Sequence, residues 1–481
     1  MEANGQRPCE REVGSGNRDC TSAQGNGPLR LRTPLGESVF HSAFDIYRIG
    51  PGPSSSRTVA PHRAAQQFLH ALAAEGRFGQ CARVEVRLLG ALALIGRELA
   101  VHKAVVAGLA GEPAERCDAQ SMDALCARVE SDKRITLAGQ RTIAFDIAHD
   151  VRFNVAQTLA EEASALRFDG YDQSGGRLAS RLYLCGGYGE VLDTAAPPVA
   201  HGGLPLPFVY TNAAELLELC GLHRKKIADI ARSNECVRRS PGELRSGLMR
   251  VALAMRASIE RGLGTTGGLP GGRLQRRAAA QKSAIDASPS PAETCALYAT
   301  AVAEESAAGG RVVSAPTNGS AGPVAALLEH MRLNHSSASE DRTVDFLLVA
   351  ACVGSLLRAA GLRQAGCQSA VGVSAAMAAA GCVAAWSGSN AQALWAAEQA
   401  LERHLNLACD SSDGRVQQPC IERNATGAAI AYTATQEALR QRDPRVRIDH
   451  LAATMVDAAR IMSKRAKTAS LGGIAVNIAD C

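Results

Sequence analysis

Apolar and polar positions follow two different periods along this chain, and the change from one to the other divides it. Between Ser38 and Asp193, short runs such as Arg83-Val84-Glu85-Val86-Arg87-Leu88-Leu89 and Arg181-Leu182-Tyr183-Leu184 show β-like patterning, and stretches of helical spacing separate them. The pattern predicts an α/β domain over 38–193, a mixed sheet with helices. A stretch containing Ala195, Pro197, Pro198, Gly202, Gly203, Pro205 and Pro207 follows, and 194–212 reads as a Pro/Gly-rich linker. Beyond Asn212 the composition is helical nearly throughout, broken by Gly-rich turns near 262–272, 309–322 and 410–419. A mostly all-α C-terminal domain over 213–481 is predicted. Residues 1–37, rich in Gly, Asn, Ser and scattered charge, have no apolar period to offset their ordering entropy and read as a flexible leader.

Gln364 to Ala397 contains no Asp, Glu, Lys or Arg and is long enough to span a bilayer. Its Ala, Gly and Ser content contributes little to insertion, and small residues let helices approach closely, so a buried central helix is expected and no membrane contact. A net charge of +5 from 52 basic and 47 acidic residues is too balanced for a nucleic-acid binder and leaves small molecules as the expected partners. Fifteen cysteines without an N-terminal apolar run point to a reducing, cytoplasmic setting in which most thiols are core residues. Cys352 and Cys382, in Ala-rich helical text, read as core.

Three other features carry candidate chemistry. Cys367, Cys409 and Cys420 each lie beside turn-forming polar residues, where thiolates at loops or helix ends can reach a metal, although their wide separations match no general ligand rule. The run Arg311 to Pro323 places Thr317, Asn318, Gly319 and Ser320 before an apolar helix. It reads either as an anion site built from amides and hydroxyls or as an ordinary helix cap with Pro323 in the first turn. Gly50 to Pro61 contains Ser54, Ser55, Ser56 and Arg57, which read equally as an anion cradle or as a flexible turn before a helix from about Arg63.

Taken together, the motifs resemble the iron–sulfur L-serine dehydratases (L-serine ammonia-lyases) in their single-chain form, with β and α domains. The resemblance runs from about Ser38 to Cys481. It rests on Phe44-Asp45-Ile46-Tyr47-Arg48-Ile49-Gly50 with Pro53-Ser54-Ser55-Ser56, Leu269-Pro270-Gly271-Gly272, Ala307 to Gly319, Gly366-Cys367-Gln368, Gln418-Pro419-Cys420-Ile421-Glu422-Arg423-Asn424-Ala425 and Thr468 to Ala475. It implies that Cys367, Cys409 and Cys420 hold a [4Fe–4S] cluster whose fourth iron is open. That iron then acts as a Lewis acid on the hydroxyl of L-serine, which is eliminated to pyruvate and ammonia without pyridoxal phosphate. It also implies substrate contacts from Ser54, Ser55, Ser56, Thr317, Asn318 and Gly319, a C-terminal Cys481 that folds back as an inhibitory ligand, a homodimer, and a role in serine breakdown feeding gluconeogenesis.

Departures from the family pattern gather at polar positions. Arg57 and Leu99 stand where the family carries His, and Arg57 cannot act as a general base at neutral pH. The base is therefore unassigned, and His62 reads as a surface position of the following helix. Arg403-His404-Leu405-Asn406-Leu407 replaces a His-Asn-Leu-Gly-Leu pattern, and the family's Tyr-Ser-x-Gly-Gly-Gly becomes Tyr183-Leu184-Cys185-Gly186-Gly187-Tyr188. Two alternatives stay open beside an L-serine dehydratase or a dehydratase for another small hydroxy-amino acid: a cluster-bearing redox or ligand-binding module without lyase activity, and a structural zinc site completed by Cys481 or His404.

Overall fold

The computed structural model describes residues 39–154, 164–196, 205–285, 288–334, 339–362, 366–408 and 416–462. The leader 1–37, part of the linker, Cys409, the motif from Thr468 and Cys481 lie outside the described residues.

The N-terminal region forms the mixed sheet with helices that the period-2 runs predict. Strands β1 (Ile49–Pro51), β2 (Arg83–Gly90), β3 (Arg134–Leu137), β4 (Arg141–Ala144), β5 (Val151–Phe153), β6 (Ser164–Tyr171), β7 (Arg177–Cys185) and β8 (Val191–Asp193) precede a single described strand of the helical region, β9 (Arg311–Val313). Five of them make one sheet in the order β5-β2-β6-β7-β8, with β2 parallel to β5 and the other neighbours antiparallel. Helices α1 (Ala60–Ala74), α2 (Val101–Ala110) and α3 (Ala119–Asp132) belong to the same region. Phe68 of α1 stacks on Phe168 of β6 at 5.2 Å, and Phe168 meets Tyr183 of β7 edge-on at 5.7 Å, closing the core between helix and sheet.

The rest is helical, as predicted: α4 (Pro241–Gly264), α5 (Pro291–Ala307), α6 (Gly322–Asn334), α7 (Glu340–Ala359), α8 (Val373–Ala385), α9 (Asn390–Glu402) and α10 (Gln418–Arg440) are its longer described members before residue 441. Local sequence sets several of their starts. Ser240 and Ser290 cap α4 and α5 with Glu243 and Glu293 closing capping boxes, and Pro occupies the first turn of each. The uncharged segment forms α8, buried in the centre: Gln368–Ala385 is the one stretch among the described residues apolar and long enough to cross a membrane, yet 89% of it is covered by the protein itself. Small residues make this possible, since a Cβ on Gly381 would sit 2.9 Å from the Phe346 carbonyl oxygen of α7. Cys352 and Cys382 are core residues as expected, and burial pushes the Cys352 thiol up to about 12, which leaves it inert.

Two features join the sheet region to the helices. Strands β1 and β9 pair antiparallel, Ile49 opposite Val313 and Pro51 opposite Arg311, so a short ladder fixes the segment before the serine triplet against the one before Thr317. The β7–β8 turn reaches across as well. Tyr188 donates its hydroxyl to the Leu362 carbonyl at 2.5 Å, and Glu190 pairs with Arg358 at 2.9 Å near the end of α7.

His62 differs from its reading as a surface residue. It is wholly buried in α1, which begins at Ala60 rather than near Arg63: Nε2 lies 3.8 Å from Cys117 Sγ, and α2 packs so closely on this turn that a Cβ on Gly108 would sit 2.3 Å from the His62 carbonyl oxygen. Burial lowers its pKa from 6.5 to about 4, against the opposing pull of Glu112 and Glu115. A depressed folded-state value means that stability is complete above pH 6.5 and falls as pH drops toward 4, by about 3 kcal/mol in all. A His62→Leu variant is therefore expected to lose that acid slope. Thermal unfolding measured from pH 7.5 to pH 4 checks this, and parallel curves for the two proteins would refute it.

Candidate active site

The serine triplet and the Thr317 loop come together through one buried side chain. Each loop turns at a cis peptide, Gly52–Pro53 and Ala315–Pro316, and Gly52 is required by close approach, since a Cβ there would lie 1.9 Å from the Ser306 carbonyl oxygen. Asn318 is fully buried and committed in every direction. Its Oδ1 accepts from Ser55 Oγ at 3.1 Å and from Ser314 Oγ at 2.6 Å, its Nδ2 donates to the Pro51 carbonyl at 2.8 Å, and its backbone N–H donates to Ser55 Oγ at 2.8 Å. Ser55, also buried, is spent on the same network. What the two loops leave at least partly open are Ser54 and Ser56, in mutual contact at 3.3 Å, Thr317, bonded to Ser320 at 2.9 Å, and the exposed Gly319.

The cysteine-bearing segments converge beside these loops. Gln368, next to Cys367, donates its backbone N–H to the Leu407 carbonyl at 3.0 Å, and its side-chain oxygen accepts from the Asn406 N–H at 3.0 Å. A Cβ on Gly366 would stand 2.8 Å from that same Leu407 oxygen and 3.1 Å from Ala408. The chain entering Cys409 thus lies against Cys367, while Cys409 itself is outside the described residues. Asn406 takes φ +64, a region that glycine favours and asparagine tolerates, which accounts for Asn where the family pattern has Gly.

Helix α10 supplies the third segment. Cys420 lies in its first turn, half-buried, and Arg423 and Asn424 follow on the same face by helical spacing. Arg423 donates from Nη1 to Cys367 Sγ at 3.2 Å and to the Ala408 carbonyl at 2.7 Å. Asn424 donates to the Gly319 and Cys420 carbonyls, both at 2.9 Å, and accepts from the Gly322 N–H at 3.2 Å. One turn of helix therefore ties the cysteine segments to the Thr317 loop. Arg423 and Asn424 stand in the motif quoted above, and their offsets of three and four from Cys420 are the sequence signal that marks them.

Other expectations meet the structure less directly. Leu99 is core, 4% exposed, so that position offers no polar chemistry. His404, 4% exposed, shares its Nδ1 with the Ala400 carbonyl at 2.7 Å and is held neutral, its pKa lowered by burial and by nearby Arg423. Among the described residues no group of three or more His, Cys, Asp or Glu side chains could hold a metal ion; Cys409 and Cys481, on which the cluster and zinc readings both draw, lie outside them.

Comparison with known proteins identifies the family. The family model described as serine dehydratase beta chain matches residues 42–196, and that described as serine dehydratase alpha chain matches 222–475. An L-serine dehydratase of Streptomyces coelicolor is 37% identical over 92% of this chain and 99% of its own length. L-serine dehydratase 2 of Escherichia coli is 35% identical over 92% and 99%, and an L-serine dehydratase of Helicobacter pylori 35% over 90% and 98%. With both parts matched in sequence order and relatives of this similarity aligned nearly end to end, the chain belongs to the serine dehydratase family, carrying counterparts of its beta and alpha chains in a single polypeptide.

Proposed function

We propose that this protein is an L-serine dehydratase, a carbon–nitrogen lyase that converts L-serine to pyruvate and ammonia with a [4Fe–4S] cluster held by Cys367, Cys409 and Cys420. The observation that carries this reading is the convergence of the two described cysteines, the segment that enters Cys409 and the Thr317 loop on one turn of α10. The donor chemistry fits such a group. The sulfur of Cys367 accepts a hydrogen bond from a guanidinium, the environment that keeps a ligating thiolate charged and oriented. When bound, the cluster supplies an iron that assists departure of the substrate hydroxyl as a Lewis acid.

The chain's own residues bind and orient. Thr317 and Gly319 present hydroxyl and backbone to the substrate carboxylate, with Ser54 and Ser56 on the facing loop, while Ser55 and Asn318 hold both loops in register from behind. Arg57, on the turn Ser55–Val59, brings a fixed positive charge to the same loop and takes no proton from the substrate at neutral pH. The same reading places the enzyme in the cytoplasm as a homodimer in serine breakdown that supplies pyruvate for gluconeogenesis, with Cys481 as a displaceable ligand of the open iron.

Anaerobically purified protein is expected to be brown, to contain iron and sulfide in equal amounts, and to release pyruvate from L-serine. A preparation that holds the cluster but turns over neither L-serine nor any other small hydroxy-amino acid would overturn the lyase assignment.

A further inference from the structure

We propose that Arg423 is the positioning residue of the cluster cradle, a single guanidinium that clamps the first ligand-bearing segment to the second from the helix that carries the third. The proposal rests on the cluster reading above and extends it to a side chain outside the ligand set. Three observations carry it. Arg423 donates to the sulfur of Cys367 at 3.2 Å. The same Nη1 donates at 2.7 Å to the carbonyl of Ala408, the residue before Cys409. And Arg423 follows Cys420 by three positions in the first turn of α10, which sets it on the same helix face.

Two neighbouring side chains make different ties. Gln368 ties its own segment to Asn406 and Leu407 through backbone and amide, and Asn424 bonds the Gly319 and Cys420 carbonyls and the Gly322 N–H instead. Arg423 adds a positive charge against the Cys367 sulfur. Hydrogen bonds to cluster sulfurs raise the reduction potential and protect the ligand, and partners one step beyond the ligands are worth about 10- to 100-fold in metal affinity. Arginine suits the task better than lysine because its planar head holds two acceptors in fixed directions, whereas an ammonium on a flexible stem holds them loosely.

The test compares wild type, Arg423→Gln, Arg423→Lys and Arg403→Gln, the last removing a surface pair with Glu437 on the neighbouring segment. Each is purified anaerobically and measured for iron and sulfide per chain, visible spectrum, half-life of the visible band in air, and midpoint potential by reductive titration. Arg423→Gln is expected to lose the cluster in air about tenfold faster and to shift the midpoint to more negative potential. Arg423→Lys is expected to fall between, and Arg403→Gln to match wild type. Far-UV circular dichroism reports folding, and if Arg423→Gln does not fold, Arg423→Lys carries the comparison. A wild type that holds its cluster beside variants with the same air half-life and midpoint overturns the Arg423 proposal alone. A wild type without iron overturns the cluster reading and this proposal with it.

Discussion

Cys367→Ala is expected to abolish pyruvate release and cluster iron together, while leaving the fold in place. Cys367 is 9% exposed at the turn that leads into α8, and truncating so small a side chain removes little buried apolar surface. What it does remove is the sulfur that Arg423 addresses, a cluster ligand on the proposed reading. A three-ligand site that loses one ligand cannot hold the metal in a working geometry, so a fall of at least about 100-fold in turnover is expected. Cys352→Ala is the matched control: it deletes a thiol that is 2% exposed and 3.1 Å from the Tyr210 hydroxyl, deep in the helical core. That variant should keep its colour and activity and lose only thermal stability. The comparison reads iron content, activity and melting temperature on both proteins. Equal iron retention in the two would remove Cys367 from the ligand set.

Asn318→Ala is expected to produce the second largest effect, on activity and stability at once. The substitution removes three buried hydrogen bonds of the Asn318 amide, leaving Ser55 and Ser314 with each other at 3.2 Å and the Pro51 carbonyl with Thr58 at 2.8 Å. Each hydrogen bond lost is worth about 0.5–1.5 kcal/mol, so the melting temperature should fall by several degrees. Because Asn318 also sets Thr317 and Gly319 against the serine triplet, a displacement of even an ångström should lower kcat/KM by about 100-fold. Asn318→Asp preserves shape but places a carboxylate oxygen against the Pro51 carbonyl, and it should be no better tolerated. Thermal unfolding and steady-state kinetics on L-serine check both. If Asn318→Ala leaves melting temperature and kcat/KM unchanged, the two loops are not held by this residue.

Much of the architecture was legible from spacing. The run Arg83 to Leu89 became β2, and Arg181 to Leu184 lies in β7. The uncharged Gln364 to Ala397 stretch holds the buried α8 and the start of α9, parted at Trp386 to Ser389, and its Ala and Gly content, rather than its length, was the informative property. The starts at Ser240 and Ser290 coincide with Ser-x-x-Glu boxes, a local signal that the structure brings out. The candidate site was legible as a set of motifs but not as a division of labour. Ser54, Ser55, Ser56, Thr317, Asn318 and Gly319 read alike in the sequence, whereas in the fold Ser55 and Asn318 are sealed and bonded to each other and Thr317 and Gly319 stay accessible. His62 shows the same limit. One side chain in a helix takes its burial from what packs on that face, and nothing adjacent to His62 in the chain announces Cys117.

By itself the sequence determined the two kinds of layer, the central buried helix, the caps, and a set of ordered motifs specific enough to point to one family, because each of these depends on residues close together in the chain. The tertiary structure alone decided which polar groups meet. Ser55 and Asn318 are 263 positions apart and are joined because β1 pairs with β9. Cys367 and Arg423 are 56 apart and are joined because α10 begins beside the turn leading into α8. Hydrogen bonds act over about 3 Å, so a partnership between distant residues becomes visible only when packing has brought their segments together.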